Sequence, residues 1–164
     1  MTDCDTRWPQ TASTSASDLL ARRATLFHIG LVVADVTSAK DLLSANEGIG
    51  WKDAGPRTFD LMLEGVSRTI TLHIAHSTGA TPRIELIEAV PDSIWATPHE
   101  TRAHHHCYWT EDGDGLCREI ESAGGERLLG IVGDESGYFR LPDASIIEIV
   151  GAGTYRRLTA WIDG

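Results

Sequence analysis

The sequence predicts an α+β fold in which two βαβββ modules pair, so that their strands curl as one mixed sheet around a cavity. A strand-like run headed by a histidine occurs twice, at His28 and His105, and an aspartate follows each histidine by seven residues. Each run precedes a helix-compatible segment and several short strand-like segments, one of which carries a single glutamate among aliphatic residues, Glu85 or Glu148. One such module is too small to close a sheet alone, so the two copies are expected to share a core.

The first module covers residues 25–90. Its first segment, Thr25 to Val33, is apolar and rich in β-branched residues, which favours a buried strand. Residues 36–46 carry apolar side chains at helical spacing, and Gly48 can end that helix. The remaining strands are predicted at residues 50–52 with an extension over 57–63, at 69–76 and at 83–89.

The second module, residues 103–151, follows a linker over residues 90–102 and repeats the same order of elements. A strand is predicted at residues 104–110 and a helix at residues 114–122, which the Gly124-Gly125 pair can end. The remaining strands are predicted at residues 127–132, 137–141 and 145–150, with a turn at Pro142-Asp143 before the last one.

Residues 25–151 are therefore expected to form one domain. Residues 1–17 are polar and without periodicity, and we expect residues 1–24 to be a disordered leader in which Asp18 to Ala24 can form a short helical turn. Residues 152–164 lie outside the repeat and are expected to be a C-terminal tail.

The composition excludes several classes of protein. A formal net charge of −10 and an isoelectric point near 5.0 would repel a phosphate backbone, so nucleic acid is not an expected partner. No apolar run approaches the roughly 20 residues that cross a bilayer, and the first residues do not resemble a signal peptide, so we expect a cytoplasmic protein that does not enter a membrane. Cys4, Cys107 and Cys117 lack CxxC spacing, which indicates neither a disulfide framework nor a thiolate zinc site.

Four residues of the repeat form a candidate metal site: His28, Glu85, His105 and Glu148. Alternation along a strand places each carboxylate on the opposite face from its aliphatic neighbours, and we expect that face to line the cavity. An inward carboxylate must be paired, protonated or metal-bound, because unpaired burial is costly. Two imidazoles and two carboxylates suit Zn²⁺, Ni²⁺, Co²⁺, Mn²⁺ or Fe²⁺, and in octahedral coordination they leave two adjacent positions for water or substrate.

The run of three histidines leaves the register of the second strand open. Equal spacing to the two aspartates favours His105 as the ligand, and His106, which faces the other side, is the alternative. Two residues beyond each histidine ligand, Gly30 and Cys107 are small enough to leave room beside the imidazoles. Trp109 is expected either to pack in the core or barrel wall or to line a substrate pocket.

Several segments together carry a resemblance to a known family, namely Phe27–Gly30 with Asp35, Arg83–Glu88 before Pro91, His104–Asp112, and Tyr138–Arg140 with Ile147–Ile149. They resemble the vicinal oxygen chelate superfamily, which includes glyoxalase I, methylmalonyl-CoA epimerase, extradiol dioxygenases and bleomycin-resistance proteins. The resemblance covers about residues 25–151 and is nearest to the glyoxalase-like branch. Metal-binding members take their ligands from the positions of the four residues proposed here. The second strand departs from the usual aliphatic pattern at Cys107, Thr110 and Glu111.

This resemblance implies a metal-dependent isomerase, epimerase or lyase of the glyoxalase type, which acts on a small carbonyl or acyl-thioester substrate through an enediolate. By resemblance to glyoxalase I, Glu148 would be a ligand that also serves as the base. By resemblance to methylmalonyl-CoA epimerase, Glu64 would be a base that does not bind the metal; otherwise it is a turn residue before Gly65. The family also leads us to expect a homodimer.

Two other functions are compatible with the sequence. Non-haem iron dioxygenases commonly use two histidines and one carboxylate, so Glu85 as a fourth ligand argues against that chemistry. Non-catalytic binding or resistance proteins typically lack the full ligand set, whereas this chain retains four candidates. An anionic substrate would need basic residues at the cavity, and the sequence offers several without placing them: Arg57, Arg68, Arg83, Arg102 and Arg140.

Overall fold

The computed structural model describes residues 14–63, 65–79, 81–98, 103–131, 134 and 136–164. Its helices are α1 (Ala16–Arg23), α2 (Val36–Glu47), α3 (Gly113–Ser122) and α4 (Ala152–Asp163). Its strands are β1 (Thr25–Val33), β2 (Trp51–Leu63), β3 (Val66–Ser77), β4 (Arg83–Glu88), β5 (His105–Thr110), β6 (Glu126–Ile131), β7 (Gly137–Arg140) and β8 (Ile146–Gly151). None of the helices in these ranges combines the length and apolarity that crossing a bilayer requires.

The strands in the described ranges form one closed mixed barrel in the order β1-β4-β3-β2-β6-β7-β8-β5. Each module contributes four neighbouring strands, and the modules join through the antiparallel pairs β1–β5 and β2–β6. Within the modules, β1 runs parallel to β4 and β5 runs parallel to β8. The α+β class and the two paired βαβββ modules predicted from the sequence are confirmed.

The aspartate of each repeat is the N-cap of the helix that follows. Asp35 Oδ1 accepts a hydrogen bond from the backbone N–H of Ser38 at 2.6 Å, and Asp112 Oδ1 accepts one from that of Gly115 at 2.9 Å. Such caps satisfy N–H groups that have no partner within the helix. The equal spacing from histidine to aspartate therefore means that, in both modules, the helix begins at the same distance after the histidine of the first strand.

Strand β2 is longer than the sequence indicates. The sequence predicts a strand at residues 50–52 with an extension over 57–63, whereas the structure has one strand over Trp51–Leu63 that pairs with β3 on both sides of a register shift. Gly55 has a φ of +69°, which glycine adopts without steric cost. A bulge at this point accommodates Gly55 and Pro56, so the strand continues past them.

The prediction that the whole of residues 1–24 is a disordered leader is wrong for its last part, and its first thirteen residues lie outside the described ranges. Ser15 and Asp18 form a capping box at the start of α1. Leu19 and Leu20 are buried in a cluster with residues of α3. The helical turn that the sequence allows at residues 18–24 is thus part of a longer helix that begins at Ala16.

The C-terminal segment is a helix docked on the barrel rather than a tail. Ile162 of α4 is buried with residues of β1, β5 and β8, and Tyr155 stacks on Trp109 at 4.3 Å between ring centroids. At the end of α4, Asp163 Oδ1 accepts a hydrogen bond from Arg83 Nη2 at 2.7 Å. These contacts depend on residues distant in the sequence, which explains why local pattern did not reveal them.

Candidate metal centre

The four proposed ligands meet at one point inside the barrel. Each lies on a different strand, and the four strands are neighbours: Glu85 on β4, His28 on β1, His105 on β5 and Glu148 on β8. All four residues are buried, and their candidate ligand atoms lie within 4.8 Å of one another. The Nε2 atom of His28 is 3.3 Å from Nε2 of His105 and 3.1 Å from Oε2 of Glu148. The Nε2 atom of His105 is 3.3 Å from Oε2 of Glu85.

Two small residues make room for this cluster. Gly30 of β1 pairs with Glu85 of β4 on one side and with His105 of β5 on the other. Cys107, the equivalent residue of the second module, pairs with the other two ligands. A Cβ atom at position 30 would lie only 1.9 Å from Cε1 of His105. The imidazole thus occupies the space that a larger side chain would take, as expected from the sequence.

The charges of the cluster balance without a metal. Burial favours neutral carboxyl groups, but His28 and His105 outweigh it, so the pKa of Glu85 is well below its usual range and that of Glu148 is about 2. Burial likewise disfavours charged imidazoles, yet contacts with the glutamates and with Cys107 raise the pKa of His28 and contacts with the glutamates raise that of His105. A divalent cation carries the charge of the two protons it would replace, so it leaves no buried charge uncompensated.

Unpartnered atoms provide a second test of fit. The Oε2 atoms of Glu85 and Glu148 are buried and make no hydrogen bond with the described residues. Buried polar atoms without partners destabilise a protein, and a coordinated cation would satisfy both. The described residues therefore include a nitrogen and oxygen cluster that can hold a divalent metal ion.

A neighbouring histidine determines which nitrogen of His105 faces the cluster as an acceptor. The Nε2 atom of His104 lies 2.8 Å from the carbonyl oxygen of Ile94, which can only accept, so His104 Nε2 carries the hydrogen. In its neutral form His104 then accepts at Nδ1 from His105 Nδ1, 3.1 Å away. When His105 gives up its second proton to a bound cation, the lone pair is therefore on Nε2, the atom that points at the other ligands.

Two further residues flank the carboxylates, and the sequence analysis did not identify their role. His76 on β3 pairs with Glu85, and Tyr138 on β7 pairs with Glu148 in the same way. The Nε2 atom of His76 is 3.5 Å from Oε1 of Glu85. Burial lowers the pKa of His76, and burial together with the nearby carboxylates raises the pKa of Tyr138 well above its usual value. His76 and Glu85 lie at equal distances along the sequence from its residues 80 and 81. Counting outward from that point in an antiparallel hairpin would have predicted that these two residues pair.

The cluster opens onto a cavity of about 380 Å³, within the range of small-molecule sites. His28, Glu85 and Glu148 line it, together with His76 and Tyr138. Most of the remaining wall is apolar and comes from both modules, from α4 and from the segment between the modules, including Phe59, Leu61, Leu72, Trp95, Leu129 and Trp161.

Residues 27–137 match the family described as the glyoxalase/bleomycin resistance protein/dioxygenase superfamily, and this range covers more than half of the chain. The chain belongs to this superfamily. No curated protein matches it at a significant level.

Solved structures of other proteins share the superfamily fold. Methylmalonyl-CoA epimerase from Mycobacterium tuberculosis is 18% identical, with a TM-score of 0.55 over 80% of this chain and 91% of that chain. A hypothetical protein from Bacillus halodurans is 19% identical, with a TM-score of 0.54 over 77% of this chain and 92% of that chain. A methylmalonyl-CoA epimerase in complex with methylmalonyl-CoA is 15% identical, with a TM-score of 0.54 over 79% and 96% of the two chains. At these identities the likeness shows the fold alone.

The structure also shows where the other residues singled out from the sequence lie. His105 lies in the cluster with 1% exposure, whereas His106 is half-buried and outside the cluster. Trp109 stacks on α4 and does not line the cavity, so it is a packing residue. Cys107 and Cys117 are free thiols buried in the protein. Glu64 lies outside the described residues, and its role as a base stays a prediction.

Proposed function

We propose that this superfamily member is a metal-dependent enzyme that moves a proton at a carbon next to a carbonyl group, as an isomerase, epimerase or lyase. The observation that carries this proposal is the buried His28, Glu85, His105 and Glu148 cluster at the wall of an otherwise largely apolar cavity. A purely structural ion site would be closed by protein on all sides, whereas catalytic sites keep positions open to substrate.

His28, Glu85, His105 and Glu148 would hold a divalent ion, which would supply electrostatic stabilisation for negative charge that develops on the substrate oxygens. The apolar walls keep water away from the reacting carbon and strengthen every charge interaction in the cavity. Tyr138 keeps its proton over the physiological range, because its pKa is well raised, and it can donate a hydrogen bond to a substrate oxygen.

Glu148 is our first candidate for the group that moves the proton. Its carboxylate lines the cavity, and its low pKa keeps it ionised at neutral pH in the metal-free protein. A general base must lie within hydrogen-bonding reach of the proton that it removes, and a side chain at the cavity wall can meet that condition. Replacement of Glu148 is therefore expected to reduce both metal content and turnover.

Glu64 is the second candidate, as a base that does not bind the metal. Under this alternative, Glu64→Gln abolishes proton transfer and leaves the metal content of the purified protein unchanged. Glu148→Gln is the matched comparison, because it lowers both quantities. Full turnover in Glu64→Gln would exclude Glu64 as the base.

The decisive experiment combines elemental analysis with proton exchange. Purified protein is analysed for transition metals and then incubated in deuterium oxide with 2-oxo acids and with acyl thioesters. Methylmalonyl-CoA is included because one structural neighbour binds it. Mass spectrometry should find deuterium next to the carbonyl only when the metal is present.

Glu126→Gln is the control for this experiment, since Glu126 is an exposed residue of β6 that pairs with Arg140 at 2.7 Å. It should leave metal content and exchange unchanged. A protein that holds no metal after purification, and gains no stability when metal is added, would contradict the proposal and favour a binding role.

A further inference from the structure

Arg57 lies at an unusual position for an arginine. Side chains alternate along a strand, and Arg57, Phe59 and Leu61 of β2 all line the cavity. Thr58 and Asp60, which lie between them, are exposed and bond to neighbouring threonines of β3. An arginine that serves only solubility would be expected among these outward residues. Arg57 instead lines the cavity while remaining exposed to solvent.

The other charged groups that the structure describes on the cavity wall balance one another. Glu85 and Glu148 would be neutralised by the divalent ion proposed above. Asp134 accepts a hydrogen bond from Arg157 Nη2 at 3.1 Å and another from Ser136 Oγ at 2.6 Å. Arg157 and Asp134 therefore cancel each other's charge.

Arg57 makes no ion pair or hydrogen bond with the residues that the structure describes. Among the residues that the structure describes, a metal-loaded cavity would thus keep one positive charge without a partner, in a chain whose formal net charge is −10. A cleft with low-dielectric walls concentrates such a field and attracts a ligand of opposite sign.

We propose that Arg57 is a specificity residue that binds an anionic group at the end of the substrate remote from the reacting carbonyl. The inference rests on the proposed function and assigns the substrate to a chemical class: small carbonyl compounds with an apolar middle and a terminal carboxylate or phosphate. Phe59 and Leu61, on the same face of β2 as Arg57, supply apolar wall for that middle part. The guanidinium group suits this role because it can bind either anion through two parallel hydrogen bonds.

Paired hydroxamic acids test this assignment. A hydroxamate presents two neighbouring oxygens to the metal, and its tail can end in a carboxylate or in a neutral carboxamide of nearly equal size. Affinities of both series, at several tail lengths, are measured by calorimetry with zinc-loaded protein. At the best length, the carboxylate tail should bind more tightly, and the preference should weaken at high salt.

Variants of Arg57 separate its charge from its bulk. Arg57→Gln should weaken binding of the carboxylate-tailed compound by about five- to tenfold and leave the carboxamide-tailed one unchanged. Arg57→Lys should restore part of the preference because it keeps the charge. Arg68→Gln is the matched control, since Arg68 is an exposed arginine of β3 that does not line the cavity.

The outcomes distinguish this inference from the function on which it rests. Equal affinity of the two tails, or equal losses for both in Arg57→Gln, would overturn the role of Arg57 while hydroxamate binding continued to support the metal centre. If neither series binds zinc-loaded protein better than metal-free protein, the metal centre itself is refuted, and the assignment of Arg57 falls with it.

Discussion

The space beside His105 is the most sensitive single feature of the metal centre. Gly30 lies between Glu85 and His105 in the sheet, and a Cβ atom there would overlap the imidazole ring. Close packing prevents the ring from moving aside without displacing its neighbours. One methyl group at position 30 should therefore affect metal binding more than its size suggests.

Gly30→Ala should lower the free energy of unfolding by about 1–3 kcal/mol, as overpacking commonly does. It should also reduce zinc affinity, because His105 must leave its position. Denaturant unfolding and zinc competition titration measure the two effects. Gly130→Ala is the control, since its nearest contact would be an arginine side-chain atom at 3.8 Å. Wild-type zinc affinity in Gly30→Ala would show that His105 does not bind the metal.

His104 provides a second prediction at this scale. It holds His105 in the tautomer whose Nε2 lone pair faces the other ligands, and loss of such a partner typically weakens metal affinity by about 10- to 100-fold. His104→Ala should show a loss of this size in zinc competition titration. His106→Ala, which changes a half-buried histidine outside the cluster, should retain the wild-type affinity. Equal affinities in both variants would contradict this role of His104.

Among the elements, helix α2 is attached to the barrel by a charged cluster. Asp53 of β2 pairs with Lys40 of α2, and it lies 3.1 Å from Nε2 of His73 on β3. Burial alone would raise the pKa of Asp53, but Lys40, the Gly55 N–H and His73 outweigh it and lower the pKa to about 2. The ionised aspartate thus joins three elements, and its protonation should loosen them together.

The sign of the pH dependence follows from this lowered pKa. The stabilisation is fully present above the unfolded value of 3.8 and is lost as the pH falls towards about 2. Asp53→Asn should therefore be less stable than the wild type at pH 7, and the difference should shrink between pH 4 and pH 2. Urea unfolding across this range measures it. Asp60→Asn, an exposed change on the same strand, is the control and should lower the stability at pH 7 much less. A constant difference for Asp53→Asn would refute the interpretation.

At the scale of the whole molecule, the candidate metal centre takes its residues from both modules. His28 and Glu85 belong to the first module, and His105 and Glu148 belong to the second. An ion bound to all four would bind the folded chain and not the unfolded one. Metal should therefore stabilise the barrel as a unit.

Zinc at about 100 times its dissociation constant should add about 2.7 kcal/mol of stability, which corresponds to a rise in Tm of roughly 5–10 °C for a chain of this size. Differential scanning calorimetry of metal-free and reloaded protein measures the rise. Glu85→Gln should reduce it, whereas Glu126→Gln should not. An unchanged wild-type Tm would show that zinc does not bind preferentially to the folded protein.

Local sequence pattern predicted the elements of the repeat, because alternation along a strand and helical spacing can be seen within short segments. The repetition of the same module then predicted that its four candidate ligands converge. Local pattern did not reveal His76, since that residue reaches Glu85 only through the register of the β3–β4 hairpin. Nor did it reveal α4, whose position depends on packing of Tyr155 and Trp161 against residues far away in the chain. Trp95 was likewise missed because it lies in a segment without periodicity.

The strand order divides the barrel into two halves with different tasks. The four candidate ligands lie on β4, β1, β5 and β8, which are consecutive, whereas β3, β2, β6 and β7 form the opposite wall of the cavity. Mutations on that opposite wall can reshape the pocket without touching a ligand strand. Such a barrel is well suited to evolutionary drift between substrates and to directed evolution, since a library confined to Phe59, Leu72 and Leu129 would vary selectivity while the ion site is inherited intact.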